Sequence, residues 1–83
     1  MMLFSVAACP VFPTIPAASK MKQTSHVGDA DVRLGVEVEF KCQDDTHFFE
    51  EYETKTNQTM TVICENNGEF DSDFTWPTCV PGQ

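Results

Sequence analysis

Four cysteines in a chain of 83 residues constrain its fold more than any other feature. A domain of this size buries little apolar surface, and its core alone seldom supplies more than about 3–5 kcal/mol of net stability. Cys9, Cys42, Cys64 and Cys79 form an even set, as a disulfide framework in a short chain requires. Structural zinc is the competing use, but its ligands come in close pairs with about two to four residues inside each pair. Here no two cysteines lie closer than Cys64 and Cys79, so disulfides are the expected chemistry and no metal or other cofactor is expected. Such bridges persist in oxidising compartments, which leads to the expectation of an extracellular or lumen-facing chain.

The triplet Asn57-Gln58-Thr59 agrees with that location, because it is an acceptor pattern for N-glycosylation. Thirteen acidic residues against five basic ones give a formal net charge of −8. This charge opposes association with nucleic acid or an anionic membrane surface. A basic protein surface is its physical complement, although solubility alone accounts for the acids without any partner.

Residues 1–8, "MMLFSVAA", are apolar but lack a basic start and are too short to cross a membrane. They read as an N-terminal extension, either a signal remnant or residues foreign to the domain, and direct membrane insertion is not expected. "PVFPTIP", from Pro10 to Pro16, carries three prolines that fix φ and withhold backbone donors, which favours an extended segment. The polar stretch from there to Val32 reads as an exposed loop.

"GVEVEFKC" alternates, with Val36, Val38, Phe40 and Cys42 on one face and Glu37, Glu39 and Lys41 on the other. That is the pattern of a half-buried strand. "QTMTVIC" is a second strand, rich in β-branched residues, with Met60, Val62 and Cys64 on one face. "NNG" at Asn66 to Gly68 marks a turn. No stretch has sustained helical periodicity with caps, so the chain reads as small, all-β and disulfide-rich. Spacing alone leaves all three pairings of the cysteines open.

The closing stretch "CENNGEFDSDFTWPTC" packs two phenylalanines, a tryptophan and a proline between Cys64 and Cys79. Together with Cys9-Pro10, and with Gly35, Val38, Phe40 and Cys42 in order, it resembles a complement control protein module, also called a sushi domain or short consensus repeat. Cys64, Gly68, Phe70, Pro77 and Cys79 occupy that family's remaining positions, with Phe70 where tryptophan is usual. Three features depart from the pattern. Trp76 sits beside Pro77, the usual glycine shortly after the second cysteine is missing from "CQDDTHF", and the stretch from Cys42 to Cys64 is longer than usual. The resemblance covers residues 9–80 and implies an elongated module of short antiparallel strands, with the pairing Cys9–Cys64 and Cys42–Cys79. "VPGQ" then looks like the start of a linker at 81–83 to a neighbouring module of the same chain.

Little in the sequence points to catalysis. His26 and His47 lack a third partner at fixed spacing and read as solvated loop histidines. No thiol stays free as a nucleophile if all four cysteines pair. The acidic pairs Asp44-Asp45 and Asp71-Ser72-Asp73 lack the glycine and distal glutamate of a calcium loop. Trp76 is expected in or beside the core. The resemblance implies a non-catalytic extracellular protein–protein interaction module, one unit of a larger receptor, adhesion or complement-like protein. Two alternatives stay open: a free-standing secreted inhibitor or toxin-like protein, and a regulatory module of a secreted serine protease. The expected partner surface is the segment Phe48, Phe49, Glu50, Glu51 and Tyr52, which joins aromatic area to negative charge and lies in the family's region of extra length.

Asn57 is expected to accept a glycan in a eukaryotic secretory pathway. Glycosidase treatment of the secreted product then lowers its mass, and Asn57→Gln removes that shift.

Overall fold

The computed structural model describes residues 8–50 and 57–82. They form seven short strands: β1 (Ala8–Cys9), β2 (Met21–Gln23), β3 (Val32–Arg33), β4 (Glu37–Cys42), β5 (His47–Phe49), β6 (Thr59–Ile63) and β7 (Cys79–Pro81). A 3₁₀ turn at Ala17–Ser19 is the one helical element among the described residues. All pairings are antiparallel. β4 lies between β2 and β6, β1 pairs with β3, and β5 pairs with β7. The radius of gyration, 14.8 Å, exceeds the ~12 Å of a compact chain of this length, so the molecule is elongated.

Alternation along β4 decides what is buried. Val38, Phe40 and Cys42 turn inward, while Glu37 and Glu39 are exposed. Residues directly opposite across a ladder share a face. Val38 therefore meets Val62, Phe40 meets Met60, and Cys42 meets Met21. Phe40 is fully buried, and the Trp76 ring stands edge-on to it at 5.2 Å. Among the described residues, the buried core besides the half-cystines includes Met21, Val32, Val38, Phe40, Phe49, Val62 and Phe70.

The disulfides are Cys9–Cys64 and Cys42–Cys79, the pairing implied by the resemblance. They act at opposite ends of the β4–β6 ladder. At one end the Cys42 amide donates to the Gln58 carbonyl at 3.0 Å, and at the other the Cys64 amide donates to Val36 at 2.9 Å. The turn feeding β4 depends on Gly35, whose φ of 85° is left-handed and strained for a side-chain-bearing residue. There the Gly35 amide donates to the Cys64 carbonyl at 2.7 Å.

The stretch after Pro16 is the exposed loop its polarity suggests only over residues 24–31, where no strand forms and nearly every residue is exposed. β2 adds to the sheet, with Met21 and Ser19 buried and the Lys20 carbonyl accepting from the Gln43 amide at 3.0 Å. A strand as short as β2 gives too few alternations to register as a period. At the other end, pairing continues past Val80. β7 reaches Pro81, and the Gly82 amide donates to the Thr46 carbonyl at 2.9 Å.

The bridges span 55 and 37 residues, and closing loops of that length lowers unfolded-state entropy by the equivalent of about 4 kcal/mol each. That approaches the whole net stability of such a domain. Reduction under native buffer conditions is expected to unfold the chain, seen as loss of the near-ultraviolet circular dichroism contributed by Trp76 and its aromatic neighbours.

Candidate functional site

The expected partner segment divides when placed in the fold. Phe49 is 4 % exposed and belongs to the core, held by the pairing of β5 with β7 opposite Cys79. Its neighbour Phe48 faces the other way, as adjacent strand residues must, and is half-buried. The Phe48 ring lies across the Gly82 backbone so closely that a Cβ at Gly82 would fall 2.6 Å from it. Glu50 is exposed, whereas Glu51 and Tyr52 lie outside the described residues. As a contact surface, the described part of this segment thus offers the Glu50 carboxylate and one edge of Phe48. Phe49 is a core residue, because β7 supplies the second strand that lets it be buried.

The acidic pairs serve their own turns. Asp44 Oδ1 accepts from the Thr46 amide at 2.8 Å and from the Thr46 hydroxyl at 2.7 Å, and Asp44 Oδ2 lies 3.7 Å from His47 Nε2. Asp71 Oδ1 accepts from the Asp73 amide at 2.9 Å. His26 Nδ1 sits 3.1 Å from Asp29 Oδ2 on the surface. Asn57 is exposed just before β6, its carbonyl accepting from the Phe49 amide at 2.8 Å.

A concave feature of the described surface lies elsewhere. An open groove of about 970 Å³ runs between the proline-rich segment after Cys9 and the loop from Asn67 to Trp76. Phe12, Phe70, Phe74 and Trp76 line it. Two ring pairs hold these aromatics, Phe12 with Phe70 at 5.3 Å and Phe74 with Trp76 at 5.2 Å. The second pair is anchored to the core through the edge contact of Trp76 with Phe40. Val11, 78 % exposed, stands on the proline-rich wall. Asp31, Glu69 and Asp71 also line the groove, and no lysine, arginine or histidine does among the described residues.

Both walls depend on the Cys9–Cys64 bridge. One leaves Cys9 directly as Pro10 to Thr14. The other folds back through an antiparallel bridge between Cys64 and Phe70 and the Asp71 amide donating to Ile63 at 3.0 Å. The turn between them closes on Gly68, whose φ is 83° and whose amide donates to the Glu65 carbonyl at 2.9 Å. In the sequence, "PVFP" reads only as an extended segment and Trp76 as a residue in or beside the core. An aromatic confined between two prolines, too rigid to reach deep into a core, was the one local hint of the groove.

Family models, curated proteins and solved structures give no match to this chain.

The Asp44 carboxyl is held below its ordinary value, first by the Thr46 amide and next by the Thr46 hydroxyl, with the charge of His47 adding to both. A depressed carboxyl stabilises the fold above its unfolded-state value, and that contribution disappears as pH falls through the folded-state value. Thr46→Ala is expected to raise the Asp44 midpoint part of the way in an NMR titration, because the backbone donor remains. An unchanged midpoint would show that the hydroxyl contributes nothing.

Proposed function

We propose that the chain is a non-catalytic extracellular protein-interaction module of the complement control protein type, one unit of a larger receptor, adhesion or complement-like protein. One observation carries the reading: the cysteines pair first with third and second with fourth, at opposite ends of one small antiparallel sheet. That arrangement is what the sequence resemblance implies, and it suits an oxidising compartment. Every cysteine is used in it, so no thiolate is left for nucleophilic chemistry. The groove and the acid-bearing end at Glu50 provide two faces on which a partner with a basic surface can dock.

The test is a binding screen of the secreted, oxidised domain against extracellular proteins, followed by Glu50→Lys/Glu51→Lys on any partner found. If the partner docks at the β5 end, charge reversal slows association at low salt, and the effect shrinks as salt is raised. Unchanged binding by a folded double variant removes that end from the interface. Four free thiols in the natural protein would remove the module reading itself.

A further inference from the structure

We infer that the groove beside the Cys9–Cys64 bridge is a docking site for an extended peptide segment of a partner protein that carries arginine or lysine next to an apolar side chain. The inference deepens the interaction-module reading and rests on it.

Charge selects the occupant. Asp31 and Glu69 are exposed and Asp71 half-buried on a lining that holds no basic side chain among the described residues. A cation entering there meets carboxylates with no competing positive group. Trp76 and Phe74 offer ring surface beside them, and a guanidinium over such a ring gains a cation–π attraction in addition to the carboxylate contacts. The other wall suits the apolar half of the ligand. Phe12 is half-buried against Phe70, and Val11 stands in solvent, so an apolar side chain laid between them removes area from water on both sides.

The shape selects an extended chain. Residues 11–15 make no backbone–backbone hydrogen bond among the described residues, which leaves the amides of Val11, Phe12 and Thr14 and the carbonyls of this wall free to meet a second strand-like segment. The floor is prepared in advance. Trp76 is fixed through Phe40 and Phe70 through Cys64, so little side-chain ordering is needed on binding.

The same charges disfavour the other occupants. A second copy would bring another chain of net charge −8 against an acidic rim. Residues 1–7, "MMLFSVA", hold no lysine or arginine.

Trp76 is the one tryptophan of the chain, so its fluorescence reports directly on the groove. The full chain is titrated with a blocked peptide GSRLRSG, with GSELESG and GSRSRSG as controls. Saturable change is expected with GSRLRSG, weakening several-fold as salt rises from about 0.02 to 0.15 M. GSELESG gives none, and GSRSRSG binds several-fold less tightly. Asp31→Lys/Glu69→Lys, at two exposed positions, is expected to weaken binding about tenfold or more. Glu37→Lys/Asp45→Lys, at two exposed positions, makes the same charge change outside the groove and is expected to cost far less. Val11→Ser weakens binding several-fold while the unfolding transition stays that of the parent.

Equal losses from the two double variants would reduce the effect to bulk charge and overturn the site. So would binding that first appears when residues 1–7 are removed, or a dimer that Glu69→Lys dissociates, since the occupant would then be the chain itself. A partner that docks through Glu50 and leaves Trp76 unperturbed would overturn the groove proposal while the module reading stands.

Discussion

The β4–β6 ladder is clamped at both ends by covalent bonds, and the rest of the molecule hangs on that clamp. The ladder alone could not persist, since a few antiparallel residue pairs with one apolar face are marginal in water. Cys64 ties one end to the start of the described chain at Cys9, and Cys42 ties the other to β7 at Cys79. Phe40 is buried between them, and its burial is completed by a ring from a segment that forms no strand, Trp76. Covalent closure thus replaces much of the apolar area that a larger domain would use.

This arrangement separates the two ends of the molecule in character. At the Cys42–Cys79 end, backbone pairing dominates. β5 and β7 lock together, Gly82 leaves room for Phe48, and Asp44 caps its own turn through Thr46. Polar groups there are largely engaged with one another. At the Cys9–Cys64 end, prolines withhold donors, the walls of the groove are irregular, and aromatic rings are stacked at an angle and left part-exposed. Exposed aromatic area gathered beside carboxylates, on a lining with no basic side chain among the described residues, is the kind of patch that marks an interaction site. In the proposed role, the second end meets the peptide segment of the partner, and the first end adds the Glu50 carboxylate as a separate face.

Sequence and structure agree where the pattern is local. The alternation of "VEVEFKC" and of "TMTVIC" gives the inward faces of β4 and β6 residue by residue, because a strand's two-residue period depends only on its own backbone. The small all-β class, the oxidised cysteines and the turn at Gly68 follow from equally local chemistry. Reading Phe48 and Phe49 as facing opposite ways was also within reach. Which of them enters the core was not, because that depends on β7, which arrives from the far end of the chain.

By itself, the sequence determined that two disulfides must supplement a small core and which faces of β4 and β6 are apolar. Spacing left the pairing of the cysteines open and only the resemblance implied the one observed, whereas the tertiary structure alone decided that Met21 is a core residue on a strand, and that Phe49 is one while Phe48 covers Gly82. It alone brought Phe12 against Phe70, and Trp76 between Phe40 and Phe74. The reason is loop closure. Periodicity is written within a few residues, whereas contacts between distant segments exist only once the Cys9–Cys64 and Cys42–Cys79 bridges have removed the entropy that would hold those segments apart.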